Sequence, residues 1–176
     1  MPSFSRMIMG LDNRLVWIGH RMRTAGCSLL LLSSLLLVQL ALATDLIVTS
    51  ATATPGQQIS LQVLLQPGSH VAGLKMTIGY DADVMTFVRA DKLADANGMM
   101  YVVNDRQPGK LIVVMAGAKG VETPKVALLD LVFQIRQPIH NDMNTHVHLM
   151  DVEAKSDQLK SVPLQLRSGD VHIRSK

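Results

Sequence analysis

From Thr44 onward the sequence contains no run of helical period; it is a succession of short apolar or alternating segments, each closed by Gly, Pro, Asn or Asp. This constrains the chain to strands, because a side-chain period of two fits a pleated surface and the breaks carry turn chemistry. The spacing predicts strands over residues 46–52, 58–65, 73–80, 85–91, 99–104, 110–117, 126–136, 145–152, 162–166 and 169–173. Between them stand Pro55-Gly56, Pro67-Gly68, Asn97-Gly98, Pro108-Gly109, Pro138 and Ser168-Gly169-Asp170, residue types that supply fixed or positive φ for tight turns. In residues 73–80, Leu74, Met76, Ile78 and Tyr80 form the inward set, while Gly73, Lys75, Thr77 and Gly79 look outward. The expected fold class is all-β, a two-sheet sandwich burying alternate side chains between its layers.

The first quarter of the chain reads differently. Residues 29–42 (LLLLSSLLLVQLAL) are a 14-residue apolar run preceded by Arg21 and Arg23 and closed by Ala41-Leu42-Ala43, the layout of a secretory signal peptide. A spanning helix needs roughly 20 apolar residues, so export followed by cleavage is expected, with residues 1–43 as leader and 44–176 as the working domain. The long stretch before Arg21 is consistent with a true start at Met22. Cys27 precedes the apolar run, the wrong side for a lipoprotein cleavage box, so no lipid anchor is expected. A secreted, periplasmic or cell-surface location follows, with membrane contact only through an uncleaved signal helix.

Setting the leader aside changes the electrostatics. Of 17 Lys and Arg, four (Arg6, Arg14, Arg21, Arg23) precede residue 44, and of 14 Asp and Glu, one (Asp12) does, so 13 of each sign remain. A neutral domain lacks the clustered positive field that nucleic acid or an anionic membrane requires. Cys27 and Trp17, the only residues of their kinds, also lie in the leader, which excludes disulfide and thiol chemistry from the domain. Its 133 residues suffice for one ordinary core.

Several stretches in order carry a family resemblance. They are Ala-Thr-Pro-Gly at 53–56 with alternating Ile59, Leu61, Val63 and Leu65, then Val71-Ala72-Gly73 leading into the strand that ends at Tyr80. Tyr80-Asp81-Ala82-Asp83-Val84-Met85 makes an acidic corner, followed by Gly109-Lys110-Leu111-Ile112-Val113-Val114-Met115-Ala116, the late alternating Phe133-Gln134-Ile135, and Ser168-Gly169-Asp170-Val171-His172-Ile173. The series, over most of residues 46–173, resembles a cohesin domain, the receptor module of cellulosome-type assemblies. The resemblance implies a nine-stranded sandwich of jelly-roll topology that binds a partner module, in the best-known cases a calcium-loaded dockerin. It places calcium on the partner and implies no cofactor in this chain.

The residues themselves also point to an interaction surface. Residues 110–117 are apolar on both alternating sets, Leu111, Val113 and Met115 on one and Ile112, Val114 and Ala116 on the other; residues 99–103 share the property. Either both strands are central and covered, or they carry an exposed apolar patch of the kind that marks an interface. In cohesins the flat dockerin-binding face is built around the strand matching 110–117, flanked by those matching 73–79 and 100–104. The partner-binding positions implied are Lys75, Thr77, Tyr101, Leu111, Val113, Met115 and Gly117, with Ala118 just beyond. Lys75 stands where cellulosomal cohesins often place an acidic or amide residue and Ala118 where some place a carboxylate, so the partner implied is not a standard dockerin.

Other chemistry is thinly represented. Asp81 and Asp83 are weak candidates for a hard cation and better candidates for capping a tight corner. His146 and His148, two apart and so on one strand face, lack a recognisable third ligand. No nucleophile elbow, phosphate loop, zinc-ligand series or paired glycosidase carboxylates can be picked out, so a non-catalytic protein is expected. The alternative is a carbohydrate-binding module of the same architecture, but the domain has no Trp and only Tyr80, Phe87, Tyr101 and Phe133 as aromatics, the first two and Phe133 fitting core positions. Polysaccharide contact is therefore expected to be indirect, and a secretion or surface-assembly subunit differs from the main reading only in its partner.

Overall fold

The computed structural model describes residues 44–67 and 70–175. The expected signal helix and the alternative start at Met22 lie outside the described residues. The described chain forms eleven strands: β1 (Thr44–Val48), β2 (Ala51–Ala53), β3 (Gln58–Gln66), β4 (Val71–Tyr80), β5 (Met85–Lys92), β6 (Met99–Gln107), β7 (Lys110–Val121), β8 (Val126–Ile135), β9 (Met143–Ser156), β10 (Leu164–Arg167) and β11 (Gly169–Ile173). A short 3-10 turn, Ala94–Ala96, is the one helical element among the described residues. Two sheets result, a five-stranded one in the order β10-β1-β3-β8-β5 and a six-stranded one in the order β2-β11-β9-β4-β7-β6.

The all-β, two-sheet sandwich is as expected, but there are eleven strands, against the ten that the spacing predicts and the nine that the resemblance implies. Residues 46–52 were read as one strand, yet the backbone breaks at Thr49-Ser50 and changes sheet: β1 pairs with β3 and β10, whereas β2 pairs with β11. The second crossing is a near copy, with β10 in the first sheet and β11 in the other, separated by Ser168 alone. The two crossing segments run parallel side by side, β1 to β10 and β2 to β11. They are packed so closely that a Cβ on Gly169 would lie 2.4 Å from the Thr49 carbonyl oxygen, which explains a glycine at the crossing.

Between the sheets lies a continuous apolar core that includes Leu46, Leu61, Leu65, Met76, Ile78, Met85, Leu111, Met115, Leu131 and Phe133, all essentially without solvent exposure. Phe133 is its aromatic centre: Tyr80 and Phe87 meet it edge to face at centroid separations of 5.1 and 5.8 Å. The offset edge-on geometry is the one the ring quadrupoles favour. Burying side chains of this size contributes about 1.5–3 kcal/mol each, so alternation in the strands is enforced strongly wherever one face meets this layer.

Turn chemistry acts where it was read. Gly109 has φ of +81°, the value that the second central position of a Pro-Gly turn requires, and it brings Lys110 opposite Gln107 to start the β6–β7 hairpin. At the acidic corner the Asp83 amide donates to Asp81 Oδ1 at 2.9 Å, and the Val84 and Met85 amides donate to the Asp81 carbonyl. The Asp81 side chain thus closes the bend between β4 and β5.

Candidate functional site

The outer faces of the two sheets differ in character. On the five-stranded sheet the polar side chains are mutually engaged: the Ser60 hydroxyl donates to the Asp130 carboxylate, Arg89 pairs with Asp91 at 2.8 Å, and Arg167 pairs with Asp45 at 3.0 Å. On the six-stranded sheet the strands β4, β6 and β7 present an apolar stripe instead. Six large apolar side chains are exposed among the described residues, and three of them, Met100 at 79%, Val102 at 67% and Val114 at 45%, sit together here. Register explains the grouping: Met100 lies opposite Ala116, Val102 opposite Val114, and Asn104 opposite Ile112.

The same register decides which anticipated residues belong to this surface. Lys75 pairs with Val114 and Thr77 with Ile112, so those four share the outer face, while Leu74, Met76 and Ile78 pair with Met115, Val113 and Leu111 on the inner one. Leu111, Val113 and Met115, expected as outward anchors, are therefore core residues with at most 1% exposure. No receptor surface can be built on them; the opposite phase of the same strand is the outward-facing one. Gly117 falls on their phase, opposite Met99. Tyr101, opposite Met115, also turns inward, where it packs against the core and its hydroxyl donates to the Ala90 carbonyl at 3.0 Å across the sandwich.

Lys75 is exposed as anticipated, with no ion pair to its register partner Glu153. Thr77 points outward as expected, yet it retains only 4% exposure between its cross-strand neighbours Ile112 and Met150. Residues that the sequence reading missed are Met100, Val102, Ile112, Val114 and Ala116. The available signal was Lys75 itself, because a charged outward residue on β4 fixes which alternate set of β7 shares its side once the pairing is known.

The stripe continues across β9 into a polar half. His148 lies over Gly79, with its Nε2 2.5 Å from where a Cβ would stand, and the Met150 methyl lies beside it at 2.8 Å. His146 Nδ1 is 2.7 Å from Asp170 Oδ1, and His172 Nδ1 is 2.6 Å from Asn144 Oδ1, each across the β9–β11 pair. No three His, Cys, Asp or Glu side chains converge to hold a metal among the described residues, and Asp81 is engaged as a cap.

The cohesin domain family model matches residues 44–173, nearly three quarters of the chain. The chain belongs to the cohesin family. Solved cohesins share its fold at low identity. A non-cellulosomal cohesin from the hyperthermophilic archaeon Archaeoglobus fulgidus is 18% identical with a TM-score of 0.67, over 74% of this chain and 91% of that one. A cohesin of Clostridium acetobutylicum in solution gives 17% and 0.65, over 75% and 91%. A type I cohesin–dockerin complex from Clostridium thermocellum gives 13% and 0.66, over 76% and 95%. No curated protein matches the sequence. As a cohesin, this chain belongs to a family of protein-binding modules, and in the C. thermocellum complex the partner is a dockerin.

Proposed function

We propose that this cohesin is an exported, non-catalytic module that docks a dockerin-type protein through the outer face of β4, β6 and β7. The observation that carries the reading is the apolar stripe of Met100, Val102, Ile112, Val114 and Ala116, with Lys75 and Thr77 alongside. An interface of ordinary size buries about 800 Å² per partner, an area that three or four adjacent strands can supply. Affinity then rests on a few central side chains. Met100 and Val114 are placed for that role, the flexible thioether repacking against surfaces of different shape. Residues 1–43 serve as the leader, and calcium, where it takes part, resides on the partner.

Direct polysaccharide binding is the less favoured reading, because all four aromatics among the described residues are committed. Tyr80, Phe87 and Phe133 pack together, and Tyr101 turns inward onto Ala90. None is left as an open platform for a sugar ring. A role in polysaccharide degradation would therefore run through an enzyme carried by the partner.

The test is a binding assay of the immobilised chain against purified calcium-loaded dockerins, with and without chelator, beside cellulose and chitin. Binding of a dockerin-type module that is lost in Val114→Asp supports the reading. Retention on a polysaccharide with no protein ligand overturns it in favour of the carbohydrate-binding alternative.

A further inference from the structure

Oxidation chemistry has one open address on this domain. Residues 44–176 contain neither Cys nor Trp, so the softest nucleophiles they hold are the thioethers of seven methionines. An oxidant dissolved in water must reach the sulfur, so access decides which of them reacts. Met76, Met85, Met99 and Met115 lie in the core with at most 2% exposure. Met143 and Met150 are half-buried: Met143 packs against the core, and the Met150 methyl lies over Gly79 beside His148. Of the seven, Met100 alone stands out from the sheet, 79% exposed.

The setting of that sulfur gives its oxidation a consequence. The start of β6 is held by Lys92, whose ammonium donates to the carbonyl oxygens of Met99 at 2.7 Å and Asn97 at 3.3 Å, so the Met100 side chain rises from an anchored backbone on the edge strand of the six-stranded sheet. Ala116 lies opposite it, Val102 follows on the same face, and Val114 stands opposite Val102. None of those three side chains carries a hydrogen-bond donor. A sulfoxide oxygen raised here draws its hydrogen bonds from water while the face is open, and loses them beneath an apolar partner.

We propose that Met100 is the oxidant-reactive site of this domain and, resting on the docking-face reading, that its sulfoxide weakens docking. The oxidant is hydrogen peroxide. A lone pair of Met100 Sδ attacks one peroxide oxygen and the O–O bond breaks; the departing hydroxide takes the proton of the transferred oxygen and leaves as water. The sulfur loses two electrons and the peroxide gains them. Burying the polar sulfoxide without a partner predicts an affinity loss of about five- to a hundredfold. The fold keeps its stability, because the oxidised sulfur lies outside the core. A sulfoxide reductase working with thiols reverses the step, giving water and a disulfide.

The experiment exposes the full chain to hydrogen peroxide and follows each methionine by peptide mass spectrometry. Oxidised and reduced chains are then compared in melting temperature and in binding of peptides selected from a displayed library on the reduced chain. The expected result is conversion of Met100 ahead of the other methionines of residues 44–176, an unchanged melting temperature, and binding weakened about five- to a hundredfold until methionine sulfoxide reductases restore it. Met100→Leu, whatever its own starting affinity, should bind equally before and after peroxide, which assigns the loss to this sulfur and not to residues 1–43. Oxidation of Met143 or Met150 at the same rate, or a melting temperature that falls as Met100 is converted, overturns the site. Undiminished binding to the Met100 sulfoxide by peptides that fail on Val114→Asp overturns the control of docking while leaving the docking face standing. A library that yields no binder, or only binders indifferent to Val114→Asp, overturns the docking face and with it the second half of the proposal, while the mass measurement still decides the first.

Discussion

Val113 and Val114 are successive residues of β7 that serve opposite sides of the sheet: Val113 has no solvent exposure, whereas Val114 is 45% exposed. Placing a carboxylate at each position separates folding from binding within one peptide bond. Val113→Asp buries an unpaired charge at a cost of about 3–5 kcal/mol, a large share of the roughly 5–15 kcal/mol that holds a domain folded. Val114→Asp keeps its melting temperature within a few degrees and loses partner binding. Thermal denaturation and a binding assay on the two proteins check both halves.

Tyr101→Phe tests the tie between the sheets. The Tyr101 hydroxyl donates to the Ala90 carbonyl, joining β6 of one sheet to β5 of the other. Losing it should cost about 0.5–1.5 kcal/mol, read as a lower urea midpoint with unchanged slope. No loss of stability would mean that the bond is not formed in solution.

The alternation of strands and turns was legible because each signal is local. The inner set of β4 is one example, and Pro108-Gly109 at the head of a hairpin is another. The phase of β7 was not, and the reason is physical: from Leu111 to Ala116 both alternating sets are apolar, so hydrophobicity alone does not say which side meets the core. Pairing with β4 settles it, and a one-residue slip in that pairing exchanges the faces entirely. Counting back from the turn does not rescue the inference, since the β6–β7 register shifts between Asn104 and Gln107. The change of sheet at Thr49-Ser50 was hidden for a similar reason, as residues on both sides of the break are small or β-branched and read as one continuous strand.

Gly169→Ala should destabilise the fold. The added methyl would stand 2.4 Å from the Thr49 carbonyl oxygen and 3.0 Å from Val48 Cγ1, and a backbone atom cannot retreat as a side-chain tip can. Overpacking of this kind costs about 1–3 kcal/mol, visible by calorimetry as a lower melting temperature. A variant with the wild-type melting temperature would show that the crossing is looser than described.

The C-terminal segment should loosen in acid. Asp142 accepts from the Ser175 hydroxyl and amide, both at 2.8 Å, and these bonds, with Arg174 nearby, hold its carboxyl below the usual carboxylate range. A lowered folded value means that the tether is at full strength above the ordinary carboxylate range and fades as the pH drops through it towards the folded value. Protection of the Ser175 amide, its exchange measured relative to the intrinsic rate at each pH, should therefore fall as the pH drops below the ordinary carboxylate range. Asp142→Asn should remove that pH dependence.

The paired crossings of β1–β2 and β10–β11 also govern how the module carries tension. Thr44 sits opposite Leu164 and Ala53 opposite Ile173, so a pull on Thr44 against Ile173 drags two parallel, neighbouring ribbons lengthwise past each other. Load is then shared by all the rungs of both ladders at once instead of peeling them singly. A domain clasped in this way resists extension between Thr44 and Ile173 through both crossing ladders together.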